Sequence, residues 1–442
     1  MPARPPGAPA RTLIVPVVVV VLMGCSTPVP SGTSVPPARP GTPSPSPSAL
    51  RSPIAGIDWA LAGAVERPPD NIASAPPSEV VHDPNSAGHP GHPVGQAHLQ
   101  AVAVGGPGLV AVGHVYPGFR AAAWTSTDGR RWARVADLPA ADDTPLAAVA
   151  VSGGRLVAVG RHGTDAASWT SRDGLAWTES PLPPASGSAA PSEVIPEQAA
   201  ALAGADVTSR SSGRAVFVAG GWTGASNASP SARFWFSSDG SRWTSARVAS
   251  ATSADARVVA MAASAAGFLA VGQTGPEGSP TGSAAWWSED GEAWTRIASA
   301  DLPPDTTPEA VAAAPGGGFV AVGSSVARDR AVVWLSMDGR HWRAASDQAA
   351  FHHYGLKVRM RGVAAGGPGL VAVGVSLFGT QFGTATVWTS ADGAVWQLVP
   401  DVAAFDGAEM DGVVGTTDGL VAVGTWGAPD QYVPTVWLSP PR

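Results

Sequence analysis

One nine-residue phrase, Trp-x-Ser-x-Asp-Gly-x-x-Trp, recurs along this chain and constrains its fold more than any other feature. Copies occupy 124–132, 169–177, 235–243, 286–294, 334–342 and 388–396, and a seventh stops at Trp437-Leu438-Ser439. Each follows a short apolar phrase ending in glycine, at 109–113, 156–160, 217–220, 268–272, 319–323, 370–374 and 420–424. Repeats of this length are supersecondary units that cannot bury their own apolar faces and must stack on their neighbours. The Val/Ala/Leu runs bounded by Gly read as buried strands. Trp and Ser two apart share a strand face, and Asp-Gly between two such strands marks a tight turn. The expectation is an all-β chain: a seven-bladed β-propeller of four-stranded antiparallel blades over residues 54–442. The last copy lacks its fourth strand. Gly56-Ile57-Asp58-Trp59 matches the end of the phrase, so residues 55–66 are predicted to complete the last blade and close the ring.

The turn resembles the Asp-box, or BNR, repeat of sialidase-like propellers, Ser-x-Asp-x-Gly-x-Thr-Trp. It departs from that pattern in having Gly directly after Asp, in being one residue shorter and in lacking Thr. The resemblance implies the fold rather than an activity, because such boxes recur in propellers of unrelated function. The six box aspartates, Asp128, Asp173, Asp239, Asp290, Asp338 and Asp392, are expected to fix their own turns rather than to pair for acid–base work. Sialidases carry an Arg-Ile-Pro motif. The nearest string here, Arg296-Ile297-Ala298, falls in a predicted outer strand. A sialidase-like or other glycoside hydrolase is the alternative to a binding role.

Residues 1–24 read as a signal peptide, with Arg4 and Arg11 preceding an apolar run over 13–23. The string Leu22-Met23-Gly24-Cys25 resembles the lipobox of bacterial lipoproteins, which implies lipidation of Cys25, the chain's single cysteine. That count also excludes a disulfide framework and CxxC-type zinc sites. Residues 26–53, nine of them Pro, read as an extended tether. The resulting expectation is a lipid-anchored protein on the extracytoplasmic face of a cell membrane. A net charge of −7 and the lack of a long basic run argue against nucleic acid.

In a propeller, the loops between second and third strands share one face with the blade-to-blade crossings. Tyr116, Phe119, Arg120, Trp222, Phe351, Tyr354, Phe378, Phe382, Trp426 and Tyr432 all fall in or beside those segments. Phe405 falls there too, with Arg328, Asp329 and Arg330 among the polar neighbours. Aromatic residues gathered on one face suggest a binding surface for a glycan, wall polymer or envelope protein. A Pro/Gly-rich segment carries His82, His89, His92 and His98, weak metal candidates whose spacing fits no closed structural zinc pattern. The sequence points to no catalytic residue and no cofactor.

Overall fold

The computed structural model describes residues 60–64 and 97–439, except 117, 136–137, 139–141, 185–196, 205–216, 225–229, 249–253, 277, 354–355, 368, 379–381, 402 and 427–432. Cys25, the signal and tether segments, His82, His89, His92, Tyr354 and Tyr432 lie outside the described residues.

Seven antiparallel sheets follow one another along the chain, each starting at its innermost strand. These inner strands are Ala97–Gly105, Leu146–Ser152, Glu197–Gly204, Ala256–Ala263, Thr306–Ala313, Lys357–Gly366 and Ala408–Thr416, in blades 1 to 7. Each contacts the next, and the seventh contacts the first, so the ring is shut. Blade 4 gains a fifth short strand, Arg247–Val248, which pairs parallel to Ala293–Arg296. The outermost strand of blade 7 comes from the other end of the chain. Ala60–Ala64 pairs antiparallel with Val433–Ser439, setting Leu61 opposite Trp437. The predicted closure is therefore present, and it covers an edge that would otherwise be free to pair with another chain.

The recurrent corner explains why each blade ends as it does. In all six full copies the serine hydroxyl accepts the glycine N–H, for example Gly129 to Ser126 Oγ at 2.8 Å. The aspartate Oδ1 accepts the next two backbone N–H groups, as in Asp392 with Ala394 at 2.8 Å and Val395 at 3.0 Å. The second tryptophan donates its indole N–H to the glycine carbonyl, from 2.7 Å at Trp396 to 3.1 Å at Trp294. The glycine itself sits at φ between 72° and 81°, which a residue with a Cβ adopts only under strain. Donors left over by the turn are thus satisfied locally. The backbone N–H groups of Arg131 and Arg130 hold the Asp128 carboxyl below its ordinary range, and those of Ala176 and Leu175 do the same for Asp173.

The first tryptophan of each copy forms the core. Trp124, Trp169, Trp235, Trp286, Trp334, Trp388 and Trp437 are all buried. Several also tie down the crossing that leads into their blade: the Nε1 groups of Trp388 and Trp437 donate to the carbonyls of Ala350 and Ala404 at 2.6 and 2.8 Å. The apolar clusters lie at the seams between blades. One of them joins Leu99, Val102 and Trp124 of blade 1 to Val421, Val423 and Val436 of blade 7. Ring closure therefore rests on burial as well as on strand pairing.

Candidate functional site

In six of the seven blades the glycine that ends the apolar phrase lies against the carbonyl side of the inner strand. A Cβ on Gly113 would collide with the carbonyl oxygen of His98, and one on Gly374 or Gly424 with that of Arg359 or Glu409. Gly160, Gly272 and Gly323 face the carbonyls of Pro145, Arg257 and Thr307 in the same way. These carbonyls crowd the second strand where the inner strand carries one extra residue. The ladder slips in all seven blades, for instance between Met360 and Gly362 and between Met410 and Gly412. Such a bulge bends the strand and re-aims a side chain. The extra residue is Ala147, Ala200 or Val259 in blades 2 to 4. In blades 5, 6, 7 and 1 it is Glu309, Arg361, Asp411 and Gln100.

Across three consecutive seams, the extra residue of one blade meets the residue two before the extra residue of the next. Glu309 accepts from Nε and Nη2 of Arg359 at 2.7 and 2.8 Å, a bidentate pair. Arg361 donates to Glu409. Asp411 Oδ2 lies 3.4 Å from Nε2 of His98, which closes the sequence onto blade 1. The same Nη1 of Arg361 that serves Glu409 stands 3.0 Å from Asp411 Oδ1. The result is an ionic belt spanning blades 5, 6, 7 and 1. It lies in the first halves of the inner strands. Gln100 is buried next to it; its amide nitrogen pairs with His98, and its oxygen has no hydrogen-bond partner among the described residues.

Water reaches this belt unequally: the Glu409 side chain is 33% exposed and that of Asp411 0%. Burial pushes the Asp411 carboxyl above its ordinary range. Burial also pushes on Glu409, but Arg361 and then His98 outweigh it and hold that carboxyl low. Arg361 is raised: its burial acts against the charge, and Asp411 and Glu409 overcome it. Burial lowers His98 despite the nearby Asp411. Chemically, the acids act as counter-ions to arginine, which differs from a pair of carboxyls free to flank a scissile bond.

Other expected site residues are placed as follows. Exposure was expected for Tyr116, Trp222 and Phe351, but they are 4%, 7% and 2% exposed. Tyr116 turns inward onto His114 and Phe119, with ring centres 5.0 and 4.9 Å apart. Phe351, like Phe405, ends a single 3-10 turn in a crossing, which carries its ring between blades. Phe119 is partly exposed at φ 52°, and Arg120 is exposed, 4.0 Å from Asp142. Phe378 and Phe382 are the last backbone register pair of a hairpin in blade 6. Trp426 stays 50% exposed while its indole N–H donates to the Asp406 carbonyl at 2.9 Å. Among the described residues no group of three His, Cys, Asp or Glu side chains is arranged to hold a metal, and His98 belongs to the ionic belt.

Sequence reading passed over Glu309, Arg359, Arg361, Glu409 and Asp411. A signal was there. Glu309, Arg361 and Asp411 stand where other copies carry Ala147, Ala200 or Val259, nine or ten residues before the next apolar phrase.

The family model described as the DUF6242 beta propeller domain matches residues 109–315. No curated protein matches the chain by sequence. Among solved structures, the chain is similar to YCF48 from Cyanidioschyzon merolae at 11% identity, covering 78% of this chain and 96% of that one, with a TM-score of 0.42. For the WD40 propeller domain of Doa1 the figures are 13%, 86%, 96% and 0.45. For the sialidase of Trypanosoma rangeli they are 12%, 79%, 54% and 0.41, so the chain spans about half of that enzyme. By its own strand order the protein is a seven-bladed β-propeller, similar over residues 109–315 to the DUF6242 propeller domain.

Proposed function

We propose that this protein is a membrane-anchored binding or assembly module of the cell envelope. A lipid on Cys25 would hold it outside the cytoplasm. Its partner, a glycan, wall polymer or envelope protein, would meet the face formed by the crossings and the loops between second and third strands. Trp426 carries this reading. Its one polar atom is already bonded to the backbone, yet half of the side chain is open to water. An aromatic surface held rigid in this way loses little entropy when a sugar ring or an apolar side chain stacks on it. The corner geometry, with serine and aspartate satisfying the turn, supports reading the repeats as Asp-box variants.

A glycan array and a pull-down from envelope extract, both with the folded domain, test the proposal. Trp426→Ala should lose capture without a change in melting temperature; capture that persists would remove Trp426 from the interface. Cys25→Ala should release the protein from the membrane fraction. For the hydrolase alternative the acids at hand are Glu409 and Asp411, and both are engaged by Arg361. Turnover of a fluorogenic glycoside that is lost in Glu409→Gln would favour the hydrolase instead.

A further inference from the structure

Five described residues other than glycine have positive φ: three are aspartates, and the others are Phe119 and Arg328. Short polar side chains tolerate this region; an arginine at φ 58° is strained by its Cβ. The loop over 325–330 enforces it. Arg328 N–H donates to Ser325 carbonyl and Val326 N–H to Asp305 carbonyl, at 2.9 and 3.0 Å. Ser325 Oγ donates to Asp329 at 2.6 Å, and the Arg328 carbonyl accepts Val358 N–H at 2.9 Å, which fastens the loop to the inner strand of blade 6.

The loop therefore presents a half-buried guanidinium whose one hydrogen bond among the described residues is a long one, 3.4 Å, to the Gly278 carbonyl of blade 4. No described carboxylate forms an ion pair with it. The acid it would share, Glu309, already holds Arg359 through both oxygens. Arg359 and Arg361 have their own carboxylates, lie largely out of water and add like charge nearby, so an incoming anion meets Arg328 rather than them.

We propose that Arg328 receives one carboxylate or phosphate group of an acidic polymer bound across the loops of blades 4 to 6. This rests on the binding-module reading and specifies the charge of its partner. A guanidinium preset in a rigid loop gives a fork of donors suited to either oxyanion.

The test measures binding of oligogalacturonate (carboxylates) and polyphosphate (phosphates) by calorimetry, with dextran as the neutral control. Wild type, R328G, R328K, R330A and W426A are compared. Wild type should bind at least one of the two anions and not dextran, and the one bound identifies the oxyanion. R328G should fold with an unchanged or higher melting temperature, because glycine accepts the left-handed backbone, and should bind about tenfold or more weakly. R328K should recover part of the loss, and R330A, already beside Asp329, should bind like wild type. Equal binding by R328G, absence of binding to both anions, or a melting temperature lowered by several degrees in R328G would overturn the proposal. Loss of binding in W426A with retention in R328G would overturn it while leaving the binding-module reading in place.

Discussion

The guanidinium of Arg361 in blade 6 stands 3.0 Å from the carboxylate of Asp411 in blade 7, and both are withdrawn from water. Asp411 reaches on to His98 of blade 1, so one carboxylate ties three blades together. Buried pairs of this kind add little net stability, but removing one partner leaves the other charged and unmatched. Arg361→Met should therefore lower stability by about 3–5 kcal/mol, and the triple change Arg361→Met, Asp411→Leu, Glu409→Gln should restore most of it. Urea unfolding of the folded domain measures both; a single variant as stable as wild type would show that the belt does not hold the seams.

Gly374 faces the Arg359 carbonyl with no room for a methyl group. Gly374→Ala should disturb the bulge and displace Arg359 from Glu309. A cost above about 2 kcal/mol is expected, at the upper end of ordinary single substitutions. Gly153→Ala is the control: nothing lies near its Cβ, and only the strain of φ 55° applies. Thermal melts of the two should differ clearly.

The Asp392 carboxyl is held low by the N–H of Val395; its burial opposes the shift, and the N–H of Ala394 adds to it. A carboxyl lowered in the fold stabilises above its unfolded value, here 3.8, and that contribution is lost as pH falls through the lower folded value. Melting temperature should therefore drop as pH falls below about 4, and Asp392→Asn should flatten part of that drop. Asp392→Ala, which also removes the acceptor, should cost about 1 kcal/mol at pH 7, as with other side-chain caps. An Asn variant with the full acid sensitivity of wild type would contradict this assignment.

Leu61 pairs with Trp437 across the strand that shuts the ring. Leu61→Pro removes a backbone donor there and should free the edge of blade 7. The expected outcome is a lower melting temperature together with concentration-dependent association in sedimentation runs. A monomer that melts like wild type would mean the closure is dispensable.

The corners, the blade count and the closing strand were legible in the sequence because each depends on a few neighbouring residues. Serine, aspartate and glycine satisfy a turn within nine positions, and Gly-x-x-Trp near residue 56 reads as the missing end of a copy. The aromatic face was only partly legible. Tyr116, Trp222 and Phe351 occupy loops or strand ends that sequence marks as exposed, and burial there depends on which way a short turn faces. Trp426, at the end of its strand, remains in water.

What the sequence determined by itself is the repeating unit and its closure, since hydrogen bonds inside a tight turn need no distant partner. What only the tertiary structure decided is the ionic belt. Its pairs lie far apart in the chain, 50 residues between Glu309 and Arg359 and 48 between Arg361 and Glu409. Each of those residues, taken alone, is one charge in a strand. They become partners because every bulge places its extra residue at the same height, and ring closure brings adjacent blades within a hydrogen bond of each other.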